Sequence, residues 1–153
     1  MMKDRAMRYA LLLSALLAMP VWAAPITVDA ARLDVDRAAN TATFSGGVTI
    51  KQADLTLTAA RVVGDLAAGG LRDITATGNV KIVRGSGENA ETATGDKAVY
   101  TPTSGKLVLT GDVSLTRGGN TLRGNRLDYD VKAGKASMTG AGSVRGTFSG
   151  DAP

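Results

Sequence analysis

The sequence predicts an all-β fold, an antiparallel sheet rolled on itself and built from repeats of about thirty residues. Three observations carry that expectation. A Gly-x-Val step recurs at Gly46-Gly47-Val48, Gly78-Asn79-Val80, Gly111-Asp112-Val113 and, less cleanly, Gly142-Ser143-Val144, with the leading glycines 32, 33 and 31 positions apart. Apolar and polar residues alternate around each step with a period of two, the spacing that places residues i and i+2 on one face of a strand. Tight turn signals separate the alternating runs, and no segment beyond the first two dozen residues offers the periodicity of an amphipathic helix. A repeat of this length describes stacked units that cannot bury an apolar face alone.

Residues 1–23 read as a targeting segment. Lys3, Arg5 and Arg8 form a positive stretch ahead of the 13-residue apolar run Tyr9 to Val21, and Val21-Trp22-Ala23 supplies the small residues a signal peptidase requires. Cleavage after Ala23 is expected, because cutting after Ala24 would put Pro25 at the scissile bond. The alternative is an uncleaved anchor, for which 13 apolar residues fall short of the roughly 20 that span a bilayer. Residues 24–148 are expected to form one domain and 149–153 a short tail. Without residues 1–23 the chain carries 15 Lys and Arg against 13 Asp and Glu, a balance that lacks the concentrated cationic face of a nucleic-acid binder. There is no cysteine, so an exported chain must rely on sheet pairing and core burial.

The strand elements follow in order as two alternating half-repeats. One has the form Thr-apolar-x-small-x-basic-apolar: Thr27-Val28-x-Ala30-x-Arg32-Leu33, Thr56-Leu57-x-Ala59-x-Arg61-Val62, Thr92-Ala93-x-Gly95-x-Lys97-Ala98 and Thr121-Leu122-x-Gly124-x-Arg126-Leu127. Its parity flips, since Leu122 and Gly124 lie on one phase and Leu127 and Tyr129 on the other; a bend or bulge at the small-x-basic step is expected. The other half-repeat holds its parity through the glycine, as in Ala42, Phe44, Gly46, Val48 and Ile50, or Leu107, Leu109, Gly111, Val113 and Leu115. Its third example is Ile74, Ala76, Gly78, Val80 and Ile82, and the fourth runs from Ala136 and Met138 through Gly140 to Val144. The step from Thr56 to Thr92 is 36 residues against 29 on either side, which places extra residues in the loop between Arg84 and Glu91.

Few side chains are suited to chemistry. Histidine and cysteine are both absent, which removes Ser-His and Cys-His nucleophiles, thiolate metal sites and imidazole acid-base work. The carboxylate pairs Asp34/Asp36 and Asp128/Asp130 each lie on one side of a strand end beside a turn, where Asp is ordinary, whereas glycosidase chemistry needs carboxylates opposed across a cleft. Arg84-Gly85-Ser86-Gly87 has no following Lys-Ser/Thr and no helix to cap, so it reads as a loop. No catalytic residue, metal ligand or cofactor is expected, and no nucleic-acid partner.

Pro25-Ile26-Thr27-Val28-x-Ala30, the Ala-Arg/Lys-apolar steps, Phe44-Ser45-Gly46-Gly47-Val48 and Leu109-Thr110-Gly111-Asp112-Val113 together resemble the OstA-like family of periplasmic lipopolysaccharide-transport proteins. The resemblance runs from Pro25 to about Met138 and includes the order of the motifs. It implies a twisted β-jellyroll, open at both ends, that carries lipopolysaccharide through the periplasm of a Gram-negative cell. It further implies an LptC-like partner at the inner membrane, an LptD-like partner at the outer membrane, and docking of open strand edges end to start, self-association included. The apolar inner face is then the expected seat of the lipid A acyl chains: Ile26, Val28, Phe44, Val48, Ile50, Val80, Ile82, Tyr100, Leu107, Leu109, Val113, Leu115 and Met138. The expected docking edges hold Ile26, Val28, Leu33 and Val35 at one end and Met138 and Val144 at the other, the residues from Gly140 onward being open to the plainer reading of an edge-shielding tail.

Each inner-face residue is also what any β core requires, so the residues alone leave a second class of reading, an exported structural or polysaccharide-binding β-solenoid. A carrier predicts a hollow apolar interior and a solenoid a filled one. Trp22 and Tyr9 fall within the expected signal, which leaves few rings to stack on sugars.

Overall fold

The computed structural model describes residues 24–67 and 70–148; the expected signal peptide, residues 68 and 69 and the expected tail lie outside the described residues. Ten strands follow one another: β1 (Thr27–Asp29), β2 (Arg32–Asp36), β3 (Thr41–Gln52), β4 (Leu55–Ala67), β5 (Gly70–Arg84), β6 (Glu91–Thr101), β7 (Lys106–Arg117), β8 (Asn120–Asp130), β9 (Lys135–Thr139) and β10 (Arg145–Thr147). The six long strands β3 to β8 pair antiparallel with their chain neighbours, as turns this short demand. At one edge β1 and β2 pair side by side with β3, and at the other β9 and β10 pair with β8, so each edge strand is broken into two pieces. The two edges do not meet, and the sheet stays open. The extra residues of the second repeat form the expected loop, which holds a short 3-10 turn at Gly87–Asn89.

A corner crosses every long strand at mid-length. In β3, Ser45 pairs with Arg61 and Val48 with Ala59, so that Gly46 and Gly47 together oppose Ala60 alone. The same two-against-one arrangement sets Gly78-Asn79 of β5 against Asp96 and Gly111-Asp112 of β7 against Asn125. The added residue thus sits in the Gly-x-Val strands, which corrects the sequence expectation of a bulge at the small-x-basic step. The physical reason lies in the backbone. Both bulge residues take positive φ, 82° and 47° at Gly78 and Asn79 and 82° and 44° at Gly111 and Asp112, a region open to glycine and tolerated by Asn and Asp. The facing small-x-basic step supplies the narrow partner. It has one residue fewer between inward positions, so its alternation flips, and buried Leu57 and Ala59 give way to buried Val62 and Gly64.

Folding along these corners brings the strand halves over one another, and their apolar faces form one cluster from Val48 to Leu127. The fourth Gly-x-Val step departs from the pattern. Gly142-Ser143-Val144 lies between β9 and β10, and Val144 stays exposed because no further strand covers it. Residues 145–147, within the stretch open to reading as a shielding tail, instead pair with Thr121–Arg123 of β8.

Candidate functional site: the apolar interior and its seam

The interior is built from the inward phase of every long strand. Among the described residues no polar or charged residue is buried. Of the expected inner-face residues, Val48, Ile50, Val80, Ile82, Tyr100, Leu107, Leu109 and Val113 are buried, and Ile26, Val28, Phe44, Leu115 and Met138 are partly buried against them. The set was incomplete. Leu55, Leu57, Val62, Ile74 and Leu127 belong to the same cluster; the parity flip of the small-x-basic strands is the signal for Leu55, Leu57, Val62 and Leu127, and Ile74 shares the unbroken phase of Val80 and Ile82. The interior is close to full: cavities of about 10 and 20 Å³ lie within it, the first lined by Ile50, Leu57, Ile74 and Tyr100 among others, the second by Ala93, Leu115, Leu127 and Tyr129 among others.

The strand ends form two lips along the roll. One lip runs in register through Gln52, Leu55, Arg84, Glu91, Arg117 and Asn120; the other runs through Ile74, Tyr100, Leu107 and Tyr129. Where the lips meet, the partners lie three strands apart in the sheet, and no backbone ladder joins them. Side chains do so instead. The Tyr100 hydroxyl donates to Gln52 Oε1 at 2.8 Å, joining β6 to β3. Arg84 Nη1 donates to the Tyr129 hydroxyl, joining β5 to β8, and that hydroxyl donates to Glu91 Oε2 at 3.3 Å. The Arg84 guanidinium also lies 5.7 Å from the centre of the Tyr129 ring. Between these clasps, Leu55 of β4 and Leu107 of β7 line the same small cavity. Burial raises the Tyr100 phenol above its ordinary pKa; at Tyr129 burial outweighs the opposing pull of Arg84, and that value rises too.

Sequence reasoning included Tyr100 but missed Gln52, Arg84, Glu91 and Tyr129 as members of this arrangement. A signal existed: the inward phase through Val48 and Ile50 continues to Gln52, and that through Val80 and Ile82 continues to Arg84, a polar group at an inward strand end.

Elsewhere the carboxylates serve local structure. Asp34 and Asp128 each chelate the arginine two residues earlier, Arg32 and Arg126, at 2.8 to 3.0 Å on the exposed face, and that hydrogen bonding holds both carboxyls below their ordinary pKa. Asp36 and Asp130 accept the backbone N–H of Ala39 and Ala133 at 3.0 and 2.9 Å, closing turns. Among the described residues no cluster of acidic side chains could hold a metal ion, and no helix is long and apolar enough to cross a membrane. At the sheet edges Leu33 and Val35 of β2 are 53% and 55% exposed, and Val144 and Phe148 flank β10 at 41% and 69%; Ile26, Val28 and Met138, also expected at the edges, are partly covered by the core.

This rolled sheet with a Gly-x corner in alternate strands has known counterparts. The pattern of the LptA/(LptD N-terminal domain) LPS transport protein family matches residues 27–135. The chain belongs to that family. Its solved relatives include LptH of Pseudomonas aeruginosa, described as the LptA-homologous periplasmic component of the lipopolysaccharide transport device. The two superpose with a TM-score of 0.73 at 20% identity, over 82% of this chain and 96% of LptH, which establishes the shared β-jellyroll fold. No curated protein sequence matches the chain. As a member of the LptA/LptD N-terminal family, the protein is placed in lipopolysaccharide transport, and the family is one of transport proteins rather than an enzyme family.

Proposed function

We propose that this protein carries lipopolysaccharide across the periplasm by holding the acyl chains of lipid A against the inner face of the roll. The observation that carries the reading is an interior with no buried polar or charged residue running through all six long strands of a transport-family fold. Each methylene withdrawn from water is worth about 0.8 kcal/mol, so a lipid with several acyl chains needs a continuous apolar path rather than a single specific pocket. The inner-face residues from Ile26 to Met138 supply such contact without any one of them acting as a key. The exposed edges at β1/β2 and β9/β10 suit strand addition by LptC-like and LptD-like partners or by a second copy, and a contact of end to start, which does not close on itself, supports the reading of a bridge between membranes.

One observation favours the second reading, a structural or polysaccharide-binding solenoid: the interior cavities are near the size of a single water. The same experiment separates the two. Photocrosslinking probes at Val48, Leu109 and Leu115, with a control at Thr110 on the opposite phase, are introduced into the exported protein in cells, and adducts are probed for lipopolysaccharide. Adducts at the three inner positions and not at Thr110 are expected of the carrier. Absence of adducts at all positions of the folded protein would assign it to the solenoid class.

A further inference from the structure

Neither of the two interior cavities has room for an acyl chain. Cavities of about 10 and 20 Å³ are at the limit for one water, whereas even a few methylenes displace more than that. Loading therefore requires the roll to widen, and the sheet constrains where. Every neighbouring pair of long strands is tied by a backbone ladder on both sides of the corner, and separating any of them would strand a row of N–H and C=O groups. The line between the two lips is different. It is closed by the Gln52–Tyr100 hydrogen bond, by the Arg84–Tyr129–Glu91 cluster, and by apolar closure at Leu55 and Leu107 between them.

The polar groups of this closure lie at the rim, where water replaces each lost partner when the lips part. Breaking a hydrogen bond there exposes both groups to solvent and leaves neither buried and unpaired. The positive-φ corner residues form a line opposite the lips, from Gly46 and Gly47 through Gly78 and Gly111, and offer the axis about which the two faces can spread. An open depression of about 790 Å³ already lies at one stretch of the lips, floored by Leu55, Tyr100, Pro102 and Val131 and rimmed by Arg84 and Lys132.

Resting on the reading of the protein as a lipid carrier, we propose that acyl chains enter sideways through this seam, that Gln52–Tyr100 and Arg84–Tyr129–Glu91 are its two latches, and that the empty carrier is the latched form. The ligand class is an amphiphile with several acyl chains, admitted chain-first between the lips while its polar head stays at the rim. Gln52, Arg84, Glu91 and the Tyr129 hydroxyl position the lips, and Tyr100 gives up its hydrogen bond at the rim while its ring stays on the inner face.

The chain has no native cysteine, so the seam can be locked cleanly. The variant Gln52→Cys/Tyr100→Cys is joined with a short bismaleimide, and a control pair, Thr58→Cys/Lys81→Cys, is joined between adjacent strands on the outer face, where Thr58 and Lys81 are directly paired. Lipid A binding to wild-type, locked and control proteins is followed by a fluorescent acyl-chain probe and by native mass spectrometry. The expected result is at least a tenfold loss of loading when the seam variant is linked, measured against the same variant before the linker is added, and no loss when the control pair is linked. Loading of the seam-locked protein at the control rate overturns lateral admission and points to the open ends of the roll, with the carrier reading intact. Failure of wild-type protein to bind lipid A overturns the carrier reading and this inference with it. A second measurement guards against misfolding of the cysteine variant: Tyr129→Phe, which keeps the ring and deletes the hydroxyl, speeds loading severalfold with the circular dichroism spectrum unchanged, and an unchanged rate removes that latch from the proposal.

Discussion

The bulge glycines show how single residues decide this fold. A Cβ added at Gly78, where φ is 82°, would meet Ala60 Cβ at 2.7 Å, and one at Gly46, where φ is 81°, would meet Ala31 Cβ at 2.7 Å. Both a forbidden backbone region and a steric overlap oppose substitution, so Gly78→Ala is expected to destabilise by about 1–3 kcal/mol. Its neighbour Asn79 holds a positive φ of 47° as a tolerated exception, and Asn79→Gly is expected to stay within about 1 kcal/mol of wild type. Urea midpoints at constant m-value measure both. The seam tyrosines give a pH signature. Their phenols face Gln52 in one case and Arg84 and Glu91 in the other, with Asp54 3.9 Å from Arg84 and Arg117 3.3 Å from Glu91. Because burial raises both pKa values in the folded chain, the neutral phenols are favoured by folding. Their contribution is complete below the ordinary tyrosine value of about 10 and is lost as pH rises from there through the raised folded values, because the unfolded chain releases its protons first. The double variant Tyr100→Phe/Tyr129→Phe is expected to show a flatter alkaline decline in urea midpoint than wild type.

At the scale of elements, each long strand combines one apolar and one polar phase, and the corner decides whether the phase persists or flips. Leu109 of β7 is 0% exposed, and Leu109→Ala is expected to cost about 2–5 kcal/mol through lost burial and the cavity left behind. Thr110 lies on the other phase, paired with Lys97 and Arg126, and Thr110→Lys is expected to fold normally, although the two adjacent cations argue for making the comparison in moderate salt. Equal damage by Leu109→Asp and Thr110→Lys in thermal melts and lipid binding would refute the assigned faces. The edge elements behave differently. β2 exposes Leu33 and Val35 on a strand with one free side, so Leu33→Lys with Val35→Lys is expected to abolish end-to-start association in light scattering and to leave thermal stability nearly unchanged. The two phases of the Gly-x-Val strands were legible in the sequence, but the strand that carries the bulge was not, because two strands facing each other across a corner differ by one residue and the pattern of one alone does not reveal which has the extra.

For the whole molecule, the consequential fact is that a sheet whose neighbouring strands pair from β1 to β10 is closed along its lips, among the described residues, by side chains rather than by a backbone ladder. Such a roll can be well formed as a sheet while its interior is accessible on a slower timescale, which reconciles a filled core with a carrier's task. Bound lipid A is expected to raise the melting temperature through linkage, since a ligand at 100 times its Kd contributes about 2.7 kcal/mol. Hydrogen exchange should meanwhile become faster for amides at the lips and remain slow in the ladders beside the corners. Protection of both regions on lipid binding would mean that the roll closes over its cargo instead of staying parted.

By itself the sequence determined the all-β class, the repeat and the inward phase that buries Val48, Ile50, Leu109 and Val113. These depend on local alternation and backbone permissiveness, which act within a few residues and are written in order along the chain. Only the tertiary structure decided how far the sheet rolls, and hence that Gln52 meets Tyr100 and Arg84 meets Tyr129. Those partners stand 48 and 45 residues apart, and their meeting follows from the accumulated bend and twist of the intervening strands, a property of the whole sheet that no single repeat contains.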